Sequence, residues 1–232
     1  LAVLLDPDKV TGEQLRYYSG LAQEALPDYF LIGGSLVMSD RATMIIKTLK
    51  SHTQVPTILF PGHVMQLNQH ADGILFLSLI SGRNADLLIG QHIVAAAPLI
   101  KSGIEVLSTG YMLIDGGRPT SVSYISGTQP IPYDKYDIMA STAMASQLIG
   151  HQQIYIDAGS GADIPISDKA IQAVRGAANM PLWVGGGLRS AELVYQKAVA
   201  GADVVVVGNI LERTPALLQE MIAAIREATV SA

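Results

Sequence analysis

In the stretch IYIDAGSGA, from Ile154 to Ala162, an aspartate runs straight into a turn of small residues, so a carboxylate sits beside backbone that can close around an anion. Side chains alternate along an extended strand, so Ile154, Ile156 and Ala158 face one way and Tyr155, Asp157 and Gly159 the other. Gly159 and Gly161 permit positive φ and close approach of a ligand to the main chain, and Ser160 adds a hydroxyl to the amide donors. Two later segments share this build. PLWVGGG (Pro181 to Gly187) and ADVVVVGN (Ala202 to Asn209) are apolar runs that end abruptly in glycine. A tight turn accounts for each alone; together the three favour a phosphate site made by Gly159, Ser160, Gly161, Gly186, Gly187, Gly208 and Asn209, without a cation.

Two other groups fit the same chemistry. Asp6, in the turn DPDK, is a hard carboxylate suited to Mg²⁺, which takes one or two protein ligands and completes its shell with water and substrate phosphate. Ser35 can add a hydroxyl from the next strand. An Asp-Pro pair is also a common helix start, with Asp8 then the better-placed cap. Asp157 can accept a proton from a substrate hydroxyl, its pKa raised by nearby phosphate charge, or it can orient the substrate through hydrogen bonds. His52, His63, His70, His92 and His151 show no metal-ligand spacing and read as structural or solvated. No Ser/His/Asp arrangement for covalent catalysis is legible, and Trp183 and the methionines read as core.

The elements that must position these groups alternate. Leu1 to Leu5 is a buried strand, and Thr11 with Gln14 has capping-box spacing for a helix through about Glu24. Tyr29 to Ile32 is a second strand, followed by a helix that Ser39 and Asp40 start and that runs through Leu49. Strand three, Pro56 to Phe60, is separated from strand four, Gly73 to Leu79, by too few residues for a full crossover helix. A helix from about Asp86 to Ile100 and a strand from Ile104 to about Asp115 come next. Gly116 to Tyr133 contains three prolines and three glycines, the chemistry of a lid or binding loop. Beyond it come a helix over Tyr133 to Leu148, strand six at Ile154 to Asp157, a helix over Ser167 to Ala177, strand seven around Trp183, a helix over Ser190 to Ala200, strand eight at Asp203 to Val207 and a last helix with Leu217, Leu218, Met221, Ile222 and Ile225 on its apolar face. Eight parallel strands with right-handed crossovers close into a (βα)8 TIM barrel, with the third helix missing or replaced by a short segment. An open doubly wound sheet would place a glycine fingerprint after strand one, where this chain has DPDK.

Bulk composition agrees with a single barrel domain over residues 1–232, since such domains run to about 250 residues. Hydrophobic residues make up 49% and charged residues 15%, which supplies a large core and excludes disorder. A net charge of -5 argues against binding nucleic acid through its phosphates. No cysteine excludes a disulfide framework and thiolate metal sites, and the apolar runs fall well short of the roughly 20 residues a membrane helix needs. A cytoplasmic location is expected. The chain begins inside an apolar run without methionine, which leaves room for a short preceding piece.

Across nearly its whole length the chain resembles the geranylgeranylglyceryl phosphate synthases. The motifs are LLDPDK at 4–9, IGGS at 32–35, FPG at 60–62, ILFLSLISGRN at 74–84, GY at 110–111, PIPYDK at 130–135, YIDAGSGA at 155–162, VGGGLRS at 184–190 and VVGN at 206–209. The resemblance implies a modified TIM barrel lacking its third helix and an enzyme that joins sn-glycerol 1-phosphate to a prenyl diphosphate. The products are an ether lipid precursor, which partitions to membrane, and diphosphate, with Mg²⁺ on the diphosphate. It implies Asp6 and Ser35 as metal ligands, and Tyr155, Ile156, Asp157, Ala158, Gly159, Ser160, Gly161, Gly186, Gly187, Gly208 and Asn209 as glycerol phosphate contacts. Tyr111 would line the prenyl groove. Homo-oligomerisation through outer helices such as Tyr133 to Leu148 is a further implication. This chain has Asp157 where the family usually has Glu, one methylene shorter. Leu4 stands where bacterial heptaprenyl relatives carry Lys, which places the chain nearer the geranylgeranyl branch. Competing readings are a phosphosugar isomerase or lyase, which needs neither the metal pair nor an apolar groove, and a barrel that binds a phosphorylated ligand without turnover.

Overall fold

The computed structural model describes residues 1 to 231 and closes eight parallel strands into a barrel in sequence order. The strands are β1 (Ala2–Leu5), β2 (Tyr29–Gly34), β3 (Thr57–Pro61), β4 (Gly73–Leu79), β5 (Glu105–Leu113), β6 (Gln153–Asp157), β7 (Leu182–Gly185) and β8 (Val204–Val207). Closure is made by β1 on β8, with Ala2 opposite Val206 and Val3 opposite Val207. Around the outside lie α1 (Gly12–Ser19), α2 (Ala42–His52), α3 (Gln91–Ser102), α4 (Ser121–Ser126), α5 (Tyr136–Leu148), α6 (Asp168–Ala177), α7 (Ala191–Val199), α8 (Asn209–Arg213) and α9 (Leu217–Ser231). Between β3 and β4 there is only a single 3₁₀ turn, Val64–Gln66, so the crossover helix expected to be missing is indeed absent from this position.

Strand alternation divides the apolar residues into layers. Outward-facing Val3, Leu5, Phe30, Ile32, Val205 and Val207 pack under the helices on one side, and Met112, Ile154, Ile156 and Val184 do so on the other. Inside, Ala2, Leu31, Leu75, Tyr111, Tyr155, Trp183 and Val206 fill the barrel. The rings of Phe60 and Tyr155 stack with centroids 5.1 Å apart, and Tyr155 is followed by Trp183 at 6.4 Å. The Trp183 indole donates to Gln153 Oε1, and Gln153 in turn donates to Thr109, which satisfies the polar atoms of the plug. The barrel floor is therefore solid.

Several boundaries differ from the sequence expectation for local reasons. α1 stops at Ser19 and not near Glu24, because the Gly20 amide closes on the Arg16 and Tyr17 carbonyls. The Thr11–Gln14 capping box is present. Asp8 caps nothing in its own helix; its carboxylate accepts the Met38 and Ser39 amides, each at 2.8 Å, and so binds the loop after β1 to the loop after β2. With Ser39 held this way, α2 starts later, at Ala42. The segment Gly116 to Tyr133 is not all loop: Thr120 and Ser123 form a capping box for α4. α8, directly after β8, is a second short helix that the sequence pattern does not predict. Among the described residues no helix is long and apolar enough to cross a membrane.

Candidate functional site

All eight strands end at one rim, where a cavity of about 1140 Å³ opens. It exceeds the roughly 300–1,000 Å³ of ordinary ligand pockets, so it has room for more than one small substrate. Asp6, Ser35, Tyr111, Tyr155, Asp157, Ser160, Gly161, Gly186, Gly187, Gly208 and Asn209 line it together. Residues from separate strand ends thus meet as the (βα)8 topology requires.

Asp157 is the most constrained of them. Its Oδ2 accepts the Tyr111 hydroxyl at 2.7 Å and its Oδ1 accepts the Gly159 amide at 2.8 Å. Burial pushes its carboxyl pKa up, while the bonds from Tyr111 and Gly159 oppose the rise. The direction matches the sequence expectation, but the cause here is desolvation. Tyr111 lines the cavity as the resemblance implies, and its bond to Asp157 is one that the sequence does not reveal. Burial, then the adjacent Asp157 charge, pushes the hydroxyl pKa values of Tyr111 and Tyr155 well above the usual tyrosine range, so both stay protonated.

The glycine turns have the conformations that the pattern required. Gly159, Gly161, Gly186 and Gly187 all have positive φ, at 88°, 76°, 87° and 73°. Gly186 is packed on the Asp157 shelf: a Cβ there would lie 2.6 Å from Asp157 Oδ1 and 2.7 Å from the Ala158 amide nitrogen. Ser160 Oγ donates to Asn209 Oδ1 at 2.9 Å and bridges the ends of β6 and β8 across the cradle. Three of the expected contact residues are placed differently. Ile156 and Ala158 point into the outer apolar layer, as strand alternation demands. The Ala158 amide is used by the Gly185 carbonyl, and the Gly159 amide by Asp157, so Ile156, Ala158 and Gly159 support the cradle from behind.

On the opposite wall Asp6 Oδ2 takes the Lys9 ammonium at 2.9 Å, and Oδ1 accepts the Asp8 amide at 3.0 Å. Lys9 also reaches Glu212 at 3.7 Å. Gly34 brings the β2 backbone against Asp6, since a Cβ there would stand 3.6 Å from Oδ2. Among the described residues no cluster of three or more acidic or imidazole groups could cage a metal alone. Asp6 and Ser35 both line the open cavity, and a carboxylate with a hydroxyl suits Mg²⁺, which draws its remaining oxygens from water and phosphate and would take the place of the Lys9 ammonium on Asp6. The donor set therefore fits.

From the cradle and Asp6 the cavity continues into an apolar arm lined by Phe60, Leu77, Leu79, Leu87, Val122 and Ile125, and further to Val64, Leu67, Ile74 and Phe76 beside the 3₁₀ turn. The 3₁₀ turn that stands in place of the third helix thus contributes Val64 to this lining, with Leu67 directly after it. His92, at its far side, bonds Ser78 at 3.1 Å, and burial holds its pKa below the ordinary histidine range. Two charged lining residues, Arg118 and Arg189, are not singled out by sequence; each is a lone arginine in a loop, and only the fold brings them to the cradle.

A barrel built this way, and motifs spread over its whole rim, agree with what comparison finds: residues 2–229 match the model of the PcrB family. The chain belongs to that family. A geranylgeranylglyceryl phosphate synthase of Spirosoma linguale is 50% identical over 97% of this chain and 91% of its own length. That of Korarchaeum cryptofilum is 38% identical over 98% and 91%. The crystal structure of (S)-3-O-geranylgeranylglyceryl phosphate synthase from Thermoplasma acidophilum, in complex with its substrate sn-glycerol-1-phosphate, superposes with a TM-score of 0.90. It is 30% identical and covers 97% of this chain and 92% of that one. The PcrB-family chain is accordingly an enzyme of the prenyltransferase type. Thiamine phosphate pyrophosphorylase from Pyrococcus furiosus, with a TM-score of 0.62 at 12% identity, shares the fold alone.

Proposed function

We propose that this enzyme joins sn-glycerol 1-phosphate to geranylgeranyl diphosphate, releasing diphosphate and forming geranylgeranylglyceryl phosphate, an ether lipid precursor. One observation carries the reading: a single cavity is lined both by the glycine cradle with its buried carboxylate and by an apolar arm that reaches the 3₁₀ turn standing where the third helix is missing. The cradle suits a phosphate monoester, and the arm suits a long hydrocarbon. An isomerase or lyase acting on a phosphosugar has no use for the arm.

In this reading Ser160, Gly161, Gly186, Gly187, Gly208 and Asn209 hold the glycerol phosphate with its 3-hydroxyl, one of two that are free, toward Asp157. Asp157 takes the hydroxyl proton as the oxygen bonds to the allylic carbon and the carbon–oxygen bond to diphosphate breaks. Burial makes its carboxylate a better base, and Tyr111 fixes its orientation. Asp6 and Ser35 would hold Mg²⁺, which neutralises the departing diphosphate when bound. The aromatic plug of Tyr155, Phe60 and Trp183 closes the floor and keeps bulk water from the reacting carbon. We place the enzyme in the cytoplasm as a homo-oligomer that delivers its product to the membrane.

The test is incubation of the protein with Mg²⁺, labelled sn-glycerol 1-phosphate and prenyl diphosphates of several lengths. A labelled, phosphatase-sensitive prenyl ether is expected, with the geranylgeranyl diphosphate the best donor. Release of diphosphate without an ether product, or turnover of a phosphosugar instead, overturns the proposal.

A further inference from the structure

The cradle just described contains no cation, yet two arginines stand at its edge. Arg118 lies between β5 and α4, Arg189 shortly after Gly187, and both line the same cavity as Ser160 and Gly161. Arg189 Nη2 donates to the Ala162 carbonyl at 2.7 Å. That same oxygen is 3.4 Å from where a Cβ on Gly187 would stand, so the guanidinium is anchored against the β6–β7 wall of the cradle. Arg118 Nη1 and Arg189 Nη2 both face Asp163 Oδ1, at 3.6 Å and 3.9 Å. Charge-assisted hydrogen bonds close at about 2.7–2.9 Å, so one carboxylate oxygen is shared loosely by two cations. All three side chains are more than half exposed, at 57%, 56% and 56%. Their framework, in contrast, is tied down: the Gly116 carbonyl accepts the Asp163 and Ile164 amides, each at 3.0 Å.

We infer that Arg118 and Arg189 bind the phosphate of the glycerol substrate and that Asp163 is a stand-in anion, pairing loosely with both guanidinium groups until the phosphate dianion displaces it. The inference rests on the reading of the cradle as the glycerol phosphate site. A dianion offers three acceptor oxygens and twice the charge, which matches two arginine forks better than a single carboxylate oxygen does. Asp163 then has a cost: its negative charge competes with the phosphate. Its removal should tighten binding, whereas an Asp163 that serves to position the arginines would weaken binding when removed.

Calorimetric titration of the protein with sn-glycerol 1-phosphate, without prenyl substrate and at two salt concentrations, tests this. Arg118→Ala and Arg189→Ala are each expected to raise Kd about tenfold, as loss of a hydrogen bond to a charged group does. Arg189→Lys, which keeps the charge and a single donor, should fall between. Asp163→Asn, an exposed change that endangers no core, is expected to lower Kd several-fold with a steeper salt dependence. The KM for prenyl diphosphate should not move in any of them. An unchanged or raised Kd in Asp163→Asn, or arginine variants that bind like the wild type, overturns the inference while leaving the cradle reading intact. A change confined to the prenyl diphosphate KM overturns the assignment to the glycerol phosphate. Failure of the wild-type protein to bind sn-glycerol 1-phosphate overturns both readings.

Discussion

At the scale of single residues the proposed chemistry rests on a carboxylate kept in an unfavourable place. Asp157 is buried, and ionisation there is opposed by desolvation and favoured only by Tyr111 and the Gly159 amide. Asp157→Asn keeps shape but cannot take a proton, so a base role predicts a fall in kcat of about 10²-fold or more with little change in the glycerol phosphate KM; an orienting role would chiefly raise KM. The same variant reports on stability. A carboxyl whose folded-state pKa is raised stabilises the fold while protonated, below its unfolded pKa, and that contribution is lost as pH rises through the folded pKa. The Asn variant should therefore gain in melting temperature over the wild type as pH rises above the carboxylate range; a loss that widens with pH would contradict the burial argument. Tyr111→Phe removes a donor that favours the ionised form, so the Asp157 pKa should climb further. The acidic limb of the kcat profile is expected to move to higher pH, and a limb that stays in place would show that the 2.7 Å bond does not tune the base.

At the scale of elements, the strand ends decide the site, and their glycines are packing requirements as much as turns. Gly186 has φ 87° and its missing Cβ would press on Asp157 Oδ1 at 2.6 Å. Gly186→Ala therefore strains the backbone and displaces the Asp157 carboxylate at once. A combined loss of about 10²-fold or more in kcat/KM is expected, with the fold retained by circular dichroism, since a misplacement of about 1 Å at a site costs on this order. Wild-type activity in this variant would show that the β7 turn can move away from β6. This part of the design is legible in the sequence, because apolar runs ending in glycine and a helix-free link between β3 and β4 are local patterns. What is not legible is what joins distant segments. The Tyr111–Asp157 bond spans 46 residues, and Asp8 reaches 30 residues to the Met38 amide. Periodicity along a chain says nothing about such partners until the barrel register places Tyr111 beside Tyr155, one inward position below Asp157. α4 escapes a sequence reading because a six-residue helix leaves no periodic signal, only the Thr120–Ser123 cap.

At the scale of the whole molecule, the barrel leaves one side of its helical ring unfinished. On α3, Ile93 and Ile100 are 70% and 84% exposed, and at the end of α5, Leu148 and Ile149 are 85% and 70% exposed. The two regions are neighbours: after burial, the proximity of His151 is what holds the His92 pKa down. Scattered exposed leucines need no explanation, but the apolar residues concentrated on these adjacent helices are the surface we propose for self-association. A lasting dimer needs about 800 Å² from each partner, and large apolar side chains contribute about 1.5–3 kcal/mol each when fully buried. The wild-type protein is thus expected to sediment as an oligomer at micromolar concentration. Leu148→Asp places a charge on that surface and should shift the distribution toward monomer. Because the active-site rim belongs to the other end of the strands, kcat should survive the change at saturating substrate. Sedimentation of the wild type as a monomer removes the interface, and a Leu148→Asp variant that remains fully assembled moves it to another face of the ring.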